Sequence, residues 1–426
     1  MGKGGEGKAP PQELTIEGET YSVAGFIERH PGGRHLLQPW LGRDATAPFV
    51  AFHPNPEVPR KYLRSLAEKK RAEKRCTGAE PESTPEADLR QLVIESRERG
   101  WFVPSAFFYA WNLAACLLLE VTAWCILAHF GTGWLPYAAA VALLATEQAQ
   151  LGWLQHDFGH SSVFGSVRAN KLAHCVIIGH LKGASSAWWN FRHFRHHSQP
   201  NIVCEDPDID APHIFMLGEQ IPAIWGKKKR GFHSLYDYQH LYWWALGPPL
   251  LLPVYFHIDV LKYLAQTRNL GDFAWLASFF VRGYFQFGPL TGGAAGAFGL
   301  YMAVRFVESH WFTWVTQMNH IPMDIGFHPG PDGAKDWVRL QLESTLNVLP
   351  SAFNDWFTGH LNYQIEHHLV PTMPRHHYRK LRPHVKALCE KHGLVYREKP
   401  LLGAMADIVS SMKASGALWR EAYHLD

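Results

Sequence analysis

The sequence has 426 residues, of which 47% are hydrophobic and 19% charged, so the chain can bury a substantial core and is neither disordered overall nor collagen-like. Its 41 Lys and Arg against 38 Asp and Glu leave a formal charge of +3, which is too balanced for a nucleic-acid binder that works by bulk charge. The six cysteines include no CxxC pair, which argues against a disulfide scaffold or a thiolate zinc site. The 26 histidines, in contrast, indicate metal or haem ligation wherever they cluster.

The first recognisable segment lies between Leu14 and Tyr62 and contains HPGGRHLLQPWLGRDATAPFVAFHP. Gly32 and Gly33 allow the backbone to turn tightly beside His30. With the preceding IEGETYSVAGFIERHPGG, this segment resembles the haem core of cytochrome b5. The resemblance implies a small α+β domain over residues 1–67, in which His30 and His53 are the axial ligands of haem b.

Only thirteen residues precede Leu14, and they supply neither the helix nor the Trp-containing strand with which this family's domain usually begins. We therefore expect an N-terminally truncated domain that buries less apolar surface and holds haem less firmly, with free cytochrome b5 as the alternative electron donor. Residues 68–100 are charged and contain Pro, as in RAEKRCTGAEPESTPEAD, and they predict a linker ahead of a larger domain over residues 101–426.

Four apolar stretches of the larger domain predict membrane-spanning helices, and they lie at about residues 106–128, 135–154, 241–260 and 289–306. The third contains Pro248 and Pro249, which predict a kink. The intervening stretch from Phe273 to Phe287 is shorter and contains Arg282, so we expect it to lie at the membrane interface. A helix buried in the protein core is the alternative for any one of these runs.

Four crossings would leave the N-terminal region, the loop 155–239 and the C-terminal region on one face, with the connectors 131–134 and 266–272 on the other. Positive charge at Lys227, Lys228, Lys229 and Arg230 marks the first face as cytosolic. Residues 1–12 are rich in Gly and Lys and contain no apolar run, so we expect no signal peptide in this segment. The sequence therefore predicts an all-α, multi-pass membrane protein with both termini in the cytosol.

Three groups of histidines with helical spacing lie on the predicted cytosolic face. They are His156 and His160 in QHDFGH, His193, His196 and His197 in HFRHH, and His367 and His368 with Gln364 in QIEHH. Residues three or four positions apart share one face of a helix, so each group can direct its side chains to one point. Neutral imidazole suits iron, zinc, copper and nickel, and these rings exceed what one four-coordinate site uses. Two metal ions are therefore the economical interpretation.

Further candidates surround these groups. His320 in QMNHIP is the best candidate for an additional ligand, and His180 and His360 are weaker ones. The acids expected to accept hydrogen bonds from ring N–H groups are Asp157, Glu366 and Asp355. The alternative, that the groups are solvated surface histidines, is disfavoured because the same spacing recurs three times.

The motifs HDFGH, HFRHH and QIEHH resemble the three histidine boxes of membrane fatty-acyl desaturases, and the glutamine of the third box is typical of the front-end group. Adjoining phrases, including GWLQHDFGH, WWNFRHF, FNDWFTGHLNYQIEHH and PTMPRH, are similar to vertebrate delta-5 and delta-6 acyl-CoA desaturases from about Val103 to the C-terminus. The resemblance implies a di-iron centre in a cytosolic helical cap, held by the histidines named above and Gln364. With O2 it would insert a cis double bond between an existing double bond and the carboxyl end of a polyunsaturated acyl-CoA.

The resemblance also implies partners and a location. Electrons would come from NADH through cytochrome b5 reductase, because no GxGxxG fingerprint indicates a nucleotide site in this chain. The protein would reside among the lipids of the endoplasmic reticulum membrane. Lys182 and the basic run at 227–230 are candidate contacts for the phosphates of coenzyme A. Five tryptophans are expected to line an acyl tunnel or to lie at the membrane interface, and they are Trp153, Trp188, Trp189, Trp311 and Trp356.

The phrases HDFGH, MNHIPM, SAFNDWF and KPLLGAMADI favour delta-5 desaturation, which converts dihomo-gamma-linolenoyl-CoA to arachidonoyl-CoA. Delta-6 desaturation is the first alternative. A b5-fused lipid hydroxylase, a front-end sphingoid-base desaturase, and a haem- or metal-binding membrane protein without catalysis are the others.

Overall fold

The computed structural model describes residues 12–67, 83–209, 214–229, 235–327 and 336–424. Within these ranges helices dominate, and the strands form two short pairs. The prediction of a mainly helical chain with a small α+β N-terminal part is confirmed.

The N-terminal part begins with an antiparallel hairpin of β1 (Glu13–Ile16) and β2 (Glu19–Ser22), in which Leu14 is opposite Tyr21. Glu17 and Gly18 both have positive φ, as the tight turn between two such strands requires. Three helices follow, α1 (Arg34–Leu37), α2 (Thr46–Phe52) and α3 (Glu57–Ala67). The apolar side chains of β1 and α2 are buried and form a common core.

Helix α4 (Pro85–Glu98) lies inside the predicted linker 68–100. Thr84 caps the helix by accepting a hydrogen bond from the Ala87 amide at 3.2 Å. Its Leu89, Leu92 and Val93 share one face and are buried. The second half of the predicted linker is therefore a packed helix, and residues 68–82 lie outside the described part of the chain.

The remaining helices carry the larger domain. They are α5 (Ala106–Phe130), α6 (Trp134–Gly159), α7 (Val167–His174), α8 (Ser186–Ser198), α9 (Gln220–Lys227), α10 (Gln239–Leu246), α11 (Pro248–Leu250), α12 (His257–Thr267), α13 (Leu270–Thr291), α14 (Ala294–Gln317), α15 (Trp337–Ser344), α16 (Ala352–Phe357), α17 (Gln364–Leu369), α18 (Tyr378–Lys391) and α19 (Leu401–His424). The segments Cys175–Leu181 and Leu251–Phe256 are π-helical. A parallel pair, β3 (Asn347–Val348) with β4 (Glu398–Lys399), ties the C-terminal segment to the domain.

Helix α5 is the one described helix that is long and apolar enough to cross a membrane by itself. Two bent pairs qualify if each counts as one span, namely the helices over 236–267, bent by 48°, and α13 with α14, bent by 108°. The structure therefore offers one to three candidate spans rather than the predicted four. The bend before Pro248 agrees with the predicted kink. Helix α6 contains the predicted span 135–154, but its second half buries polar side chains, including Glu147 and Gln148.

The span predicted at 289–306 is wrong, because it crosses the break between α13 and α14. Gly292 and Gly293 lie at this break with φ of 83° and 100°, which favours glycine and ends the helix. The stretch from Phe273 to Phe287, predicted to be interfacial, is the body of α13. Pro289, the first residue of the predicted span, lies inside the last turn of α13.

The predicted position of the connector 266–272 is also wrong. Asp272 accepts hydrogen bonds from Ser185 Oγ at 2.5 Å and from the Ala187 amide at 2.8 Å, both at the start of α8. The connector therefore lies on the same side as the histidines of α8. Arg282 of α13 pairs with Glu120 of α5, and Trp124 donates to the Gln286 carbonyl at 3.0 Å.

The two contacts between α5 and α13 follow the same order along both helices, because the later residue of one contacts the later residue of the other. The two helices therefore run in the same direction. The turns at 131–133 and 292–293 consequently lie at one end of the helices, and the histidine-bearing segments meet at the other. A hydrophobic core there joins the N-terminal part to α4, α15, α17 and α18.

Candidate metal centre

Three helices bring the histidine motifs together at this end of the domain. His156 and His160 occupy the end of α6, and HFRHH forms the last two turns of α8. Ser185 starts α8 by accepting a hydrogen bond from the Trp188 amide at 3.1 Å. His367 and His368 lie on the short, fully buried α17.

The first group contains five rings whose ligand nitrogens all lie within 4.8 Å of one another, and these are His156, His160, His193, His197 and His367. His193 is at the centre. Its Nε2 lies 3.1 Å from His156 Nε2, 2.9 Å from His160 Nε2 and 3.0 Å from His197 Nε2. Nitrogens about 3 Å apart fit as neighbouring ligands of one metal, since metal–nitrogen bonds are about 2 Å long.

The second group contains His196, His320 and His368, again within 4.8 Å. Gln364 joins it, because its Nε2 lies 2.9 Å from His320 Nε2. The nine predicted side chains thus divide into two adjacent groups, an arrangement compatible with the predicted pair of metal ions.

The two weaker candidates lie outside both groups. His180 Nδ1 is 2.8 Å from Ser278 Oγ, and His360 packs against the ring of Phe108. Neither belongs to a group of potential metal ligands among the described residues.

Hydrogen bonds at Nδ1 fix the orientation of several rings, so that the Nε2 atom of each ring faces the other members of its group. The Nδ1 atoms of His196 and His368 lie 2.9 Å from Asp206 Oδ2 and 2.8 Å from Gln341 Oε1. His320 Nδ1 is 3.0 Å from the Ser344 carbonyl oxygen, and His367 Nδ1 is 3.0 Å from the Tyr378 hydroxyl. The Nε2 atoms of His367 and His368 are buried without a hydrogen-bond partner. Such atoms are costly unless a further group binds them, so these residues fit a metal site.

The three acids predicted to accept hydrogen bonds from the rings do not lie within hydrogen-bonding distance of them, although the Asp157 carboxylate opposes burial in its effect on the pKa of His156. Asp157 Oδ1 is 3.9 Å from His156 Nδ1, too far for a hydrogen bond, and its other oxygen meets Arg375. Glu366 binds Asn347 and Tyr396, whereas Asp355 binds Asn362. Asp206, Gln341 and Tyr378 contact the rings instead, and none of the three was predicted. The acidic run CEDPDID after HFRHH was a signal for Asp206, but no motif marked the other two.

The electrostatics of the site favour neutral rings. Burial, and then the neighbouring rings, lower the pKa values of five histidines well below their ordinary range, and these are His160, His193, His197, His367 and His368. Burial likewise lowers the pKa of His320 to about 3. Neutral imidazole is the form that binds a metal ion, so the site is ready for ligation at physiological pH.

His196 differs from the other rings. Burial acts to lower its pKa, but the carboxylate of Asp206 outweighs burial and raises it. The same pairing lowers the pKa of Asp206 although its burial acts in the opposite direction. Asp206 therefore remains a carboxylate that can polarise the His196 ring.

An apolar cavity of about 140 Å³ adjoins the first group. Trp188 and Trp189 line it, and the Trp189 ring lies 4.1 Å from that of His193. Phe280 and Arg305 also line a second cavity of about 200 Å³ farther along α13 and α14. The other three tryptophans line neither cavity, and they are Trp153, Trp311 and Trp356.

The prediction that Lys182 contacts coenzyme A is wrong. Its ammonium group is buried, pairs with Glu308 and donates to the Gln148 carbonyl at 2.7 Å, so it is not available to a phosphate at the surface. Lys227, Lys228 and Lys229 are exposed. Arg230 lies outside the described residues.

His30 and His53 face one another in the N-terminal part, with ring centroids 6.5 Å apart. His30 Nδ1 lies 3.2 Å from the Gly33 carbonyl and His53 Nδ1 lies 2.8 Å from the Phe49 carbonyl, so each ring directs Nε2 away from the backbone. Two imidazoles on opposite sides of one iron, with bonds of about 2 Å, have centroids roughly 6 Å apart. The two residues would therefore suit the binding of a haem iron between their rings.

Comparisons with known proteins find a match for each of the two parts of the chain. Residues 132–400 match the family described as fatty acid desaturase, and residues 11–75 match the cytochrome b5-like haem/steroid binding domain. The chain is 45% identical over 411 residues to fatty acid desaturase 3 of Bos taurus, a match that covers 96% of this chain and 91% of the bovine protein.

Proposed function

The chain belongs to the fatty acid desaturase family and carries an N-terminal cytochrome b5-like domain, and from this premise we propose that it is a front-end desaturase of polyunsaturated acyl-CoA. The proposed reaction inserts a cis double bond, at the expense of O2 and two electrons, between an existing double bond and the carboxyl end. We propose that the new double bond is introduced at the delta-5 position and that the substrate is dihomo-gamma-linolenoyl-CoA.

One observation carries the proposal, namely the convergence of eight histidines and Gln364 beside an apolar cavity. Hydrogen abstraction from an unactivated methylene needs an oxidising metal centre, and a di-iron centre activates O2 for this purpose when bound. The two groups of ligands are sufficient for two ions, and a glutamine in the ligand set is the feature that distinguishes the front-end sequences.

The chain's own residues would position the substrate. Trp189 stacks against His193 and also lines the cavity, so an acyl chain in the cavity would pass directly beside the first group. The surrounding apolar side chains, including Phe256 and Leu276, exclude water from this path. Such exclusion protects a strongly oxidising site from side reactions.

His30 and His53 would hold haem b, which when bound would supply one-electron chemistry, and an NADH-dependent cytochrome b5 reductase would be the source of the electrons. Free cytochrome b5 is the alternative donor if the domain holds haem poorly. A chain with an apolar α5 and a lipid substrate suits the endoplasmic reticulum membrane, where we place it with both termini in the cytosol.

The proposal is tested by expressing the full chain in yeast supplied separately with linoleate, alpha-linolenate and dihomo-gamma-linolenate. Gas chromatography with mass spectrometry then identifies new fatty acids and their double-bond positions. A delta-5 product from the twenty-carbon trienoate supports the proposal. Delta-6 products would overturn the delta-5 assignment, whereas hydroxylated lipids or desaturated sphingoid bases would overturn the acyl-CoA substrate.

A ligand variant and a matched control separate catalysis from mere metal or haem binding. His367→Ala removes a ring of the first group, and we expect no detectable product while the haem absorbance is retained. His180→Ala removes a histidine that lies outside both groups, and we expect wild-type product levels. Equal activity of His367→Ala and wild type would contradict the assigned site.

A further inference from the structure

The cytochrome b5-like part is packed directly against the histidine-bearing helices, and its docked position brings one haem-ligand candidate near the metal centre. Thr372 Oγ1 donates to the Ala51 carbonyl at 3.1 Å, four residues after His368 in the chain. Trp40, which is 4% exposed, directs its ring nitrogen to Ser198 Oγ at 3.4 Å, and Ser198 directly follows His197. The first contact places the end of α2 beside the segment that follows α17, and the second places Trp40 over the end of α8.

Phe52 occupies the centre of this contact. It directly precedes His53 in the chain, and its ring meets that of His197 edge-on, with centroids 6.2 Å apart and planes at 89°. The same ring lies 6.5 Å from Phe194 and 6.1 Å from Trp337. Phe194 in turn lies 5.8 Å from His160 of the first group.

One aromatic side chain therefore connects a predicted haem ligand with a predicted metal ligand through a single peptide unit and a single ring contact. Electron transfer slows steeply with distance, and it is faster through bonded and closely packed atoms than across gaps. No other ring in the described residues contacts His197 from the side of the N-terminal part.

Building on the proposed function, we propose that Phe52 is the bridge through which electrons pass from the haem held by His30 and His53 to the metal centre at His197. In each transfer ferrous haem is oxidised to ferric haem, and one ferric ion of the pair is reduced to ferrous. No covalent bond forms or breaks. The reduced flavin of an NADH-dependent reductase returns the haem to the ferrous state.

The test uses the full-length protein loaded with haem and iron, together with reductase and NADH. Stopped-flow absorbance follows the reoxidation of ferrous haem after mixing with acyl-CoA and O2. We expect Phe52→Leu, which keeps apolar bulk but removes the ring, to slow haem reoxidation several-fold. Phe52→Tyr keeps the ring, and we expect it to retain the wild-type rate.

Phe26→Leu is the matched control. Phe26 is also a half-buried ring next to a haem-ligand candidate, with its centroid 5.8 Å from that of His30, but its other ring contact is Tyr62 within the same part of the chain. We expect this variant to reoxidise haem at the wild-type rate. The haem spectrum and midpoint potential should remain unchanged in all three variants.

Hydrogen exchange of the backbone amides of α8 and α15 distinguishes a role of Phe52 in electron transfer from a role in holding the two parts of the chain together. Slow reoxidation with wild-type protection of these helices supports Phe52 as the bridge. Slow reoxidation with lost protection would mean that Phe52 only holds the parts together, and it would overturn the proposal. A wild-type rate in Phe52→Leu would overturn it too, while leaving the proposed desaturation intact. A wild-type protein that makes no desaturated product would instead refute the proposed function.

Discussion

Asp206 shows how one buried side chain can fix the orientation of a candidate metal ligand through hydrogen bonds. Its carboxylate accepts hydrogen bonds from His196 Nδ1 at 2.9 Å and from the backbone amides of Asn201 and Asp208 at 2.8 and 2.9 Å. The two amides hold the carboxylate in place, and the carboxylate fixes the orientation of the His196 ring. A ring held in this way loses less freedom when it binds a metal ion.

We expect Asp206→Asn to weaken iron binding by about 10- to 100-fold, since the neutral amide neither polarises the ring nor matches the carboxylate's hydrogen bonds. Iron content after dialysis against chelators of increasing strength measures the effect. Asp208→Asn is the control, because its side chain is partly exposed and lies 3.9 Å from His196. Equal iron retention in both variants would contradict the role assigned to Asp206.

The convergence of the candidate ligands was predictable from sequence, whereas most of the residues that hydrogen-bond to them were not. His193 and His197 are four residues apart, a spacing that fixes a shared helix face whatever the tertiary structure. Gln341 reaches His368 from a different helix, and only the packing of α15 on α17 sets that contact. Acids adjacent in sequence, such as Glu366, were expected to accept hydrogen bonds from the rings. Side chains at neighbouring helical positions, however, point in different directions.

At the scale of elements, α13 serves as the support for α8. Asp272 in the first turn of α13 accepts from Ser185 Oγ at 2.5 Å and from the Ala187 amide at 2.8 Å. A carboxylate at the start of a helix also interacts favourably with the helix dipole. One side chain therefore joins two helices and fixes the direction in which α8 presents its histidines.

Replacing Asp272 with Ala should destabilise the fold, because it leaves buried donors at the start of α8 unpaired at a cost of about 1–3 kcal/mol. We expect a thermal unfolding midpoint in detergent that is lower by a few degrees. Asp407→Ala removes a carboxylate from the surface pair with Lys399, and we expect it to leave the midpoint nearly unchanged. A similar midpoint for Asp272→Ala and wild type would contradict the role of Asp272 in holding the start of α8.

The errors in the predicted spans have a common physical origin. Apolar length predicts a helix but does not state where the chain turns, and the turn at Gly292 and Gly293 depends on positive φ values that glycine adopts easily. The charge of Arg282 argued against α13 as a membrane span, but in the structure this charge is paired with Glu120 of α5. Such pairing between helices distant in sequence cannot be deduced from composition.

At the scale of the whole molecule, the N-terminal part and the larger domain share one hydrophobic core. His35 lies at their contact, where its ring meets Phe191 with centroids 4.8 Å apart. Burial, and then the charges of Arg195 and His30, lower the pKa of His35 from about 6.5 to about 4. The docked arrangement therefore favours the neutral ring.

The direction of the resulting pH dependence follows from this shift. A histidine whose pKa is lower in the folded state gives its full stabilisation above its unfolded pKa, and it loses that stabilisation as the pH falls from about 6.5 towards 4. Within this window the unfolded chain binds the proton more readily than the folded one. Acid should thus loosen the contact between the two parts of the chain.

We expect the thermal midpoint of wild type to fall more steeply between pH 6.5 and pH 4 than that of His35→Gln, which cannot take up a proton. Other buried histidines, such as His197, contribute a slope in the same direction, so the difference between the two curves isolates His35. His129→Gln, at the exposed end of α5, should follow the wild-type curve. Parallel curves for His35→Gln and wild type would show that protonation of His35 does not govern the docking, and that packing around Phe191 and Phe52 holds the two parts together at every pH.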